Sequence, residues 1–236
     1  MQKYRIAGVI FKANFIYALS ARLMQKYQYF GKDEAEFTAE FNLEEIELAS
    51  KDFPKMPLPY VENTLIFKKF CDFVLNNKNG LIFHSSAIAV EGKAYLFAAP
   101  SGTGKSTHTA LWRELFGVKA VMINDDKPLI RLEDGEFYVY GTPWNGKHGL
   151  DTDCRVKIQA ICHLQRGEDN EIEPIDAKEM LPVILGQTLR PTGVEQMDKL
   201  LALTEQLLGK VGKFRLKCNT DISAAKLSYS AMKGEN

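Results

Sequence analysis

The 236-residue chain lacks a charge excess of either sign, with 30 Lys+Arg against 30 Asp+Glu. Proteins that ride on nucleic acid or on anionic membrane surfaces more often carry a basic excess. Neither partner is therefore expected. Long hydrophobic runs are missing too. The apolar N-terminal stretch "YRIAGVIFKANFIYALS" is interrupted by Lys12 and Asn14 and shows no A-x-A cleavage signal. It reads as a folded segment of a cytoplasmic protein. Cysteine is scarce and scattered: Cys71, Cys154, Cys162 and Cys218 form no C-x-x-C pair. They read as buried or incidental thiols in a reducing compartment, and a zinc site is not expected. Repeats and low-complexity tails are absent. The length suits one compact domain, or one domain with a small appendage.

What is present alternates between strand and helix patterns. Residues 4–15 and 35–43 read as strands and 20–30 as a short helix, while 43–53 is ambiguous. "FPKMPLPY" concentrates Pro54, Pro57 and Pro59, which suggests an extended connector. It divides the chain into a small N-terminal α/β segment, 1–59, packed on a larger domain, 60–236. A helix that Asn63 can cap is expected from Asn63 to Asn77, then strands over 81–90 and 94–99 joined by the turn "EGK". A helix follows over 106–115 and a buried strand over 120–125. Asp134-Gly135 marks a hairpin within 127–141. A strand over 156–165, helices over 176–189 and 194–211, a strand over 213–219 and a helix capped by Asp221 complete the pattern. Pro182 should kink or restart the first of those two helices. The mixture of crossovers and hairpins indicates an α/β fold with a mixed β-sheet flanked by helices.

The chemistry is concentrated in "APSGTGKST", residues 99–107. It is a G-x-x-x-x-G-K-[ST] phosphate loop with Ala99 at the first glycine position, set between a strand and a helix. Gly102 and Gly104 permit positive φ and close backbone approach. The loop N–H groups and the helix N-terminus collect phosphate oxygens. Lys105 reaches the β- and γ-phosphates, and Ser106 ligates Mg²⁺. Ser101, Gly102, Thr103, Gly104, Lys105, Ser106 and Thr107 are the candidate nucleotide-binding residues. The competing reading is a chance surface turn, which the flanking strand and helix oppose.

Downstream, the strand "VMIN" runs into Asp125 and Asp126. A buried strand ending in acid brings a carboxylate to Mg²⁺. Two acids allow one to hold the metal while the other accepts the proton of an incoming hydroxyl. The bland alternative is a solvated turn.

The order of these parts is more specific than the loop alone. "HSSAIAVEGKAYLFAAPSGTGKST" followed by "NDD" resembles HPr kinase/phosphorylase and its shorter HPr-kinase-like relatives, over roughly residues 80–165. The P-loop architecture is shared with phosphoenolpyruvate carboxykinase, whose loop also contains S-G-T-G-K. That enzyme's longer chain and metal-binding Lys and His positions find no match here, so its activity is not expected. The resemblance implies a P-loop kinase domain, ATP with Mg²⁺ as donor, a serine-type hydroxyl as acceptor and an oligomeric state. It also implies that Asp125 is the general base and that Asp126 binds Mg²⁺ with Ser106, the two acids being exchangeable. His84 corresponds to the family's strand histidine near the phosphates; alternatively it is a satisfied core residue. Two departures stand out. Thr107 occupies a position where HPr kinase carries glutamate, and "YGTPWNGKHG" stands in place of the downstream contact signature. The second feature is like the shorter relatives, some of which phosphorylate precursor peptides of modified natural products.

In that replacement loop, Lys147 is a candidate for neutralising transferred phosphoryl charge. Trp144 is a candidate wall for the acceptor, or else a structural aromatic in a hairpin connection. Arg190 is a phosphate contact or a surface cation. The stripe from Val194 to Leu208 reads as core. The expected function is ATP- and Mg²⁺-dependent transfer of the γ-phosphate to a hydroxyl of a peptide, protein or small molecule. The alternatives are a nucleotide-binding regulatory module without transfer, or an NTPase.

Overall fold

The structure, a computed structural model, describes residues 1–234. It opens with a hairpin rather than the single strand expected over 4–15. β1 (Gln2–Ile6) and β2 (Val9–Ala13) pair antiparallel across Ala7 (φ 50°) and Gly8 (φ 79°). Both turn residues are left-handed, as a two-residue hairpin turn of this kind requires, and alanine does not advertise such a turn. α1 (Ala18–Met24) follows. β3 (Phe37–Ala39) then pairs parallel to β2. The ambiguous stretch contains a helix, α2 (Leu43–Ser50). Asn42 and Glu45 close a capping box at its start, each side chain accepting the other's backbone N–H.

α3 (Leu58–Asn77) begins ahead of Asn63, so "FPKMPLPY" is a turn that enters a helix and not an extended connector. Pro59 falls in the first turn, where a missing N–H breaks no helical hydrogen bond. Phe70 and Val74 of α3 share one hydrophobic cluster with Tyr4 and Phe11 of the hairpin and with Trp144 far along the chain. Glu62 of α3, 1% exposed, accepts from the Ile16 N–H at 2.6 Å and the Ser20 hydroxyl at 2.7 Å. This buried carboxylate ties α1 to α3.

The larger sheet contains β4 (Gly80–Ile82), β5 (Ser85–Val90), β6 (Lys93–Ala98), β7 (Ala120–Asn124), β8 (Leu129–Glu133), β9 (Glu136–Tyr140), β10 (Arg155–Arg166), β11 (Glu171–Pro174) and β12 (Gly212–Cys218). α4 (Lys105–Phe116) lies between β6 and β7. α5 (Ala177–Gly186) and α6 (Val194–Lys210) precede β12, and α7 (Ile222–Met232) follows it. The strand order is β4-β8-β9-β10-β6-β5-β7, with β12 on β10 and β11 on β12. β10 is the hub. Its start pairs antiparallel with β9, while its middle and end pair parallel with β6 and β12. The result is a mixed α/β fold.

Period-two alternation divides the sheet faces. Ala94, Leu96 and Ala98 of β6 face a cluster with α5 and α6, while Tyr95 and Phe97 face one with Trp112 and α7. Leu200, Leu203, Leu207 and Leu208 of α6 are buried as expected, but Val194 and Leu201 are exposed. Asp134 (φ 50°) and Gly135 (φ 78°) make the expected hairpin. Pro182 sits inside α5, which continues past it without restarting. β11 carries no strand signal in the sequence, because Glu171 to Pro174 is short and polar.

One break matters for the site. Residues 81–90 do not form one strand. β4 pairs with β8, and β5 pairs with β6 and β7. The chain changes partners at Phe83 and His84, whose backbone N–H groups donate to Pro128 (3.1 Å) and Gln187 (2.7 Å). His84 therefore sits at a junction between strands rather than on one.

Candidate active site

β6 delivers the chain into the glycine-rich loop and α4 carries it away. Gly102 (φ 82°) and Gly104 (φ 125°) are both left-handed. A Cβ at Gly102 would meet nothing within 4 Å, so glycine is needed here for backbone conformation and not for room. Gly104 caps α4 without a side chain, which leaves that helix N-terminus without a side-chain acceptor. Ala99 is fully buried in the cluster beneath α4, so its methyl group is accommodated. Lys105 is 7% exposed and folds back to donate to the Ala99 carbonyl at 2.8 Å. Burial lowers its pKa, and the negative charges of Asp126 and Asp125 act against that shift. Arg166, at the end of β10, donates to the carbonyls of Gly102 (2.6 Å) and Thr103 (3.2 Å). No sequence signal marked it. It reaches the loop because β10 runs parallel to β6, with His163 opposite Ala98.

The acids follow β7. Asn124, fully buried, accepts the backbone N–H groups of Asp126 (2.8 Å) and Lys127 (2.7 Å) and donates to the Thr142 carbonyl (2.9 Å). That turn lets neighbouring side chains, which would oppose each other on a strand, line the same cleft. Asp125 is buried, and its Oδ1 accepts from the Ser86 hydroxyl at 2.6 Å. The carboxylate of Asp126 is held between His84 Nε2 (3.1 Å) and Lys127 Nζ (2.6 Å). Burial raises its pKa, but the hydrogen bonds and charges of His84 and Lys127 outweigh this, and it ends below the usual carboxylate value.

Loop and acids face each other across a cleft of ≈ 440 Å³. Ser101, Gly102, Gly104, Lys105, Ser106 and Thr107 line one side; His84, Asp125 and Asp126 line another; Gly146, Lys147 and His148 close a third. Of the candidate nucleotide-binding residues, only Thr103 does not line it; Thr103 lines a second cleft, of ≈ 370 Å³. The second cleft shares Gly102, Gly104 and Thr107 with the first and extends to Leu111, Leu164 and Asn219.

The loop 141–149 is held by contacts. A Cβ on Gly141 would run into the carbonyl oxygens of Thr152 and Ile123, and one on Gly146 would lie 3.0 Å from Asp126 Cβ. Trp144 is only 6% exposed. It packs edge-on against Phe67 and donates to Asn63 Oδ1 at 3.2 Å, so it is chiefly a core residue. Asn63 is consequently a mid-helix partner and not a helix cap. Asn145 donates to Asp151, which also accepts from Tyr27 and Lys26 and so links this loop to the N-terminal segment. Arg190 lies away from the cleft, beside Leu81 and Leu200. His108 is buried beneath the loop, bonded to Ser228 (3.0 Å) and Trp112 (3.2 Å), and burial pushes its pKa down to about 4.

A family model described as "SynChlorMet cassette protein ScmC" matches residues 65–190. That span is more than half of the chain and includes the glycine-rich loop, both acids and the loop 141–149. The chain belongs to the ScmC family. No curated protein matches it. Among solved structures it is similar to the Hpr(Ser) kinase/phosphatase from Coxiella burnetii, at 11% identity and a TM-score of 0.34. That likeness covers 65% of this chain and 99% of the other, and it is too distant to bear on chemistry. Among the described residues, no helix of this ScmC-family chain is long and apolar enough to cross a membrane.

The ScmC-family cleft offers donors for a polyanion at one end and carboxylates at the other. Its oxygen ligands, the Ser106 hydroxyl and the Asp126 or Asp125 carboxylate, are hard donors and too few for a closed cage. No group of three or more His, Cys, Asp and Glu able to hold a metal occurs among the described residues. A short oxygen set of this kind suits Mg²⁺, which keeps several waters and is completed by substrate phosphates.

Proposed function

We propose that the chain is a cytoplasmic phosphotransferase of the HPr-kinase-like type that moves the γ-phosphate of ATP to a serine-type hydroxyl. The observation that carries this reading is the convergence of Lys105, the α4 N-terminus, Asp125 and Asp126 on one cleft. The loop N–H groups and Lys105 bind the β- and γ-phosphates. Thr107, common to both clefts, lies where the phosphate chain passes into the second one, whose apolar Leu111 and Leu164 receive the nucleoside. Ser106 and Asp126 would hold Mg²⁺, which supplies charge neutralisation when bound.

The two acids differ in a way that supports their division of roles. Asp126 has a cationic or hydrogen-bonding partner on each oxygen and a depressed pKa, so it is a weak base and a durable anion. Asp125 has one oxygen oriented by Ser86 and lines the cleft. It takes the proton of the attacking hydroxyl. Lys147 stands where charge on the transferring group can be neutralised.

Titration calorimetry with ATP, with and without Mg²⁺, tests the donor site. Radiolabelled ATP with candidate acceptors tests the transfer. Absence of ATP binding under both conditions would overturn the reading. Binding without transfer to any acceptor would leave a nucleotide-binding module.

A further inference from the structure

A third hollow, of ≈ 600 Å³, is lined by Asp126 and by none of the glycine-rich loop residues 99–107. It shares Asp126, Gly146 and Lys147 with the proposed phosphate cleft, so the two spaces meet at Asp126. Its far wall is Leu19, Arg22 and Leu23 of α1, and its floor includes Tyr60, Asn63 and Phe67 of α3. The segment before Leu58 thus supplies a wall to a space that opens onto the proposed chemistry.

The wall is rigidly placed. Buried Glu62 pins the start of α1 through Ile16, Tyr17 and Ser20. Its charge is one-sided. Among the described residues, Arg22, Lys127 and Lys147 line the hollow against Asp126 as the sole acid. Lys127 is engaged by Asp126. Arg22 and Lys147 make no ion pair among the described residues. Tyr60 stands at the opening, 54% exposed, beside the partly buried Leu19 and Leu23.

Resting on the phosphotransferase reading above, we infer that this hollow is the acceptor subsite, and that it selects a peptide whose serine-type hydroxyl is flanked by an acidic residue. Charge complementarity to Arg22 and Lys147 and continuity with the phosphate cleft carry the inference. A small hydroxy acid would meet only the Lys127 and Lys147 end. The contacts on α1 serve an acceptor longer than its reacting residue. The transfer balances simply. The seryl oxygen forms a bond to the γ-phosphorus, and the bond from that phosphorus to the β,γ-bridging oxygen breaks. ADP leaves with the electron pair, and the seryl proton passes to Asp125.

The test uses the full chain, radiolabelled ATP and a positional library of serine-centred peptides bearing Asp, Lys or Leu at each flanking position. ATP affinity is measured in parallel. Acidic-flanked peptides should be labelled about fivefold better than Lys-flanked ones, the size of one favourable exposed ion pair. Arg22→Glu, at an exposed position, should cancel or reverse that preference by raising KM rather than lowering kcat, with ATP affinity retained. Equal labelling of Lys-flanked peptides, or a preference that survives Arg22→Glu, would overturn the inference. Labelling of free serine or glycerate in place of every peptide would overturn it too, as would ATP binding without any peptide labelling; both leave the nucleotide reading intact. Failure to bind ATP removes the reading itself, and this inference with it.

Discussion

In the two glycine-bearing loops that face each other across the cleft, Gly102 and Gly141 are glycine for opposite reasons. In residues 99–106, Gly102 needs a left-handed backbone and has open space around it. In residues 141–149, Gly141 has no room for a side chain because the Thr152 and Ile123 carbonyls crowd it. At Gly102 the first loop is shaped by local conformation, and its Thr103 N–H closes a turn onto the Pro100 carbonyl at 3.3 Å. The second is crowded at Gly141 and tethered through Asn145 to Asp151, with left-handed glycines of its own at 146 and 149.

The largest expected effect tests whether the acids belong functionally to the first loop. Asp125→Asn should lower acceptor-dependent transfer by about 10²–10⁴-fold with ATP affinity nearly unchanged. Transfer at the wild-type rate would remove Asp125 from the base role.

Next comes the contrast between the glycines themselves. Gly141→Ala should cost about 1–3 kcal/mol of unfolding free energy through overpacking, read from the urea midpoint. Gly102→Ala should cost about 1–2 kcal/mol through left-handed strain, and should weaken ATP binding more than Gly141→Ala does. If the two variants weaken ATP binding equally, the proposed difference between the loops fails.

Arg166→Ala probes the clamp on the first loop from outside. ATP affinity should fall roughly tenfold, the scale of one charge-assisted hydrogen bond, with a smaller change in kcat. An unchanged affinity would mean that the loop holds its shape without Arg166.

The smallest effect at neutral pH concerns the supports behind each side. His108 titrates at about 4 in the fold against 6.5 when free, because burial disfavours its charged form. The unfolded chain therefore binds more protons between those values, and stability falls as pH drops from about 6.5 towards 4. Asp126 behaves differently. Its folded pKa is depressed, so its contribution is present above the ordinary carboxylate value and is lost only as pH falls below it. Urea midpoints measured from pH 7.5 to 4.5 should decline in the wild type and decline less in His108→Gln. A flat wild-type profile would contradict this account.

Much of the first loop's side was legible in the chain. Lys105, Ser106 and the paired aspartates declare themselves through short spacing, and the turn at Asp134-Gly135 through its residue types. The hairpin at Ala7-Gly8 was not legible, because alanine in a left-handed turn carries no local signal. His84 reads as a mid-strand residue because residues 81–90 contain no glycine or proline to divide them. Only the different partners of β4 and β5 divide them. Asn63 looked like a cap because it precedes an apolar run. In the fold, Pro57 and Pro59 start the helix earlier and Asn63 accepts from Trp144 instead.

By itself, the sequence determined a glycine-rich loop after a strand, and an acid pair after another, because glycine conformation and chain spacing are local properties. The tertiary structure decided that Ser86 orients Asp125, that His84 and Lys127 hold Asp126, that Arg166 grips the loop and that α1 walls the third hollow. Each of these contacts depends on sheet order and burial, and those are set by packing between residues distant in the chain.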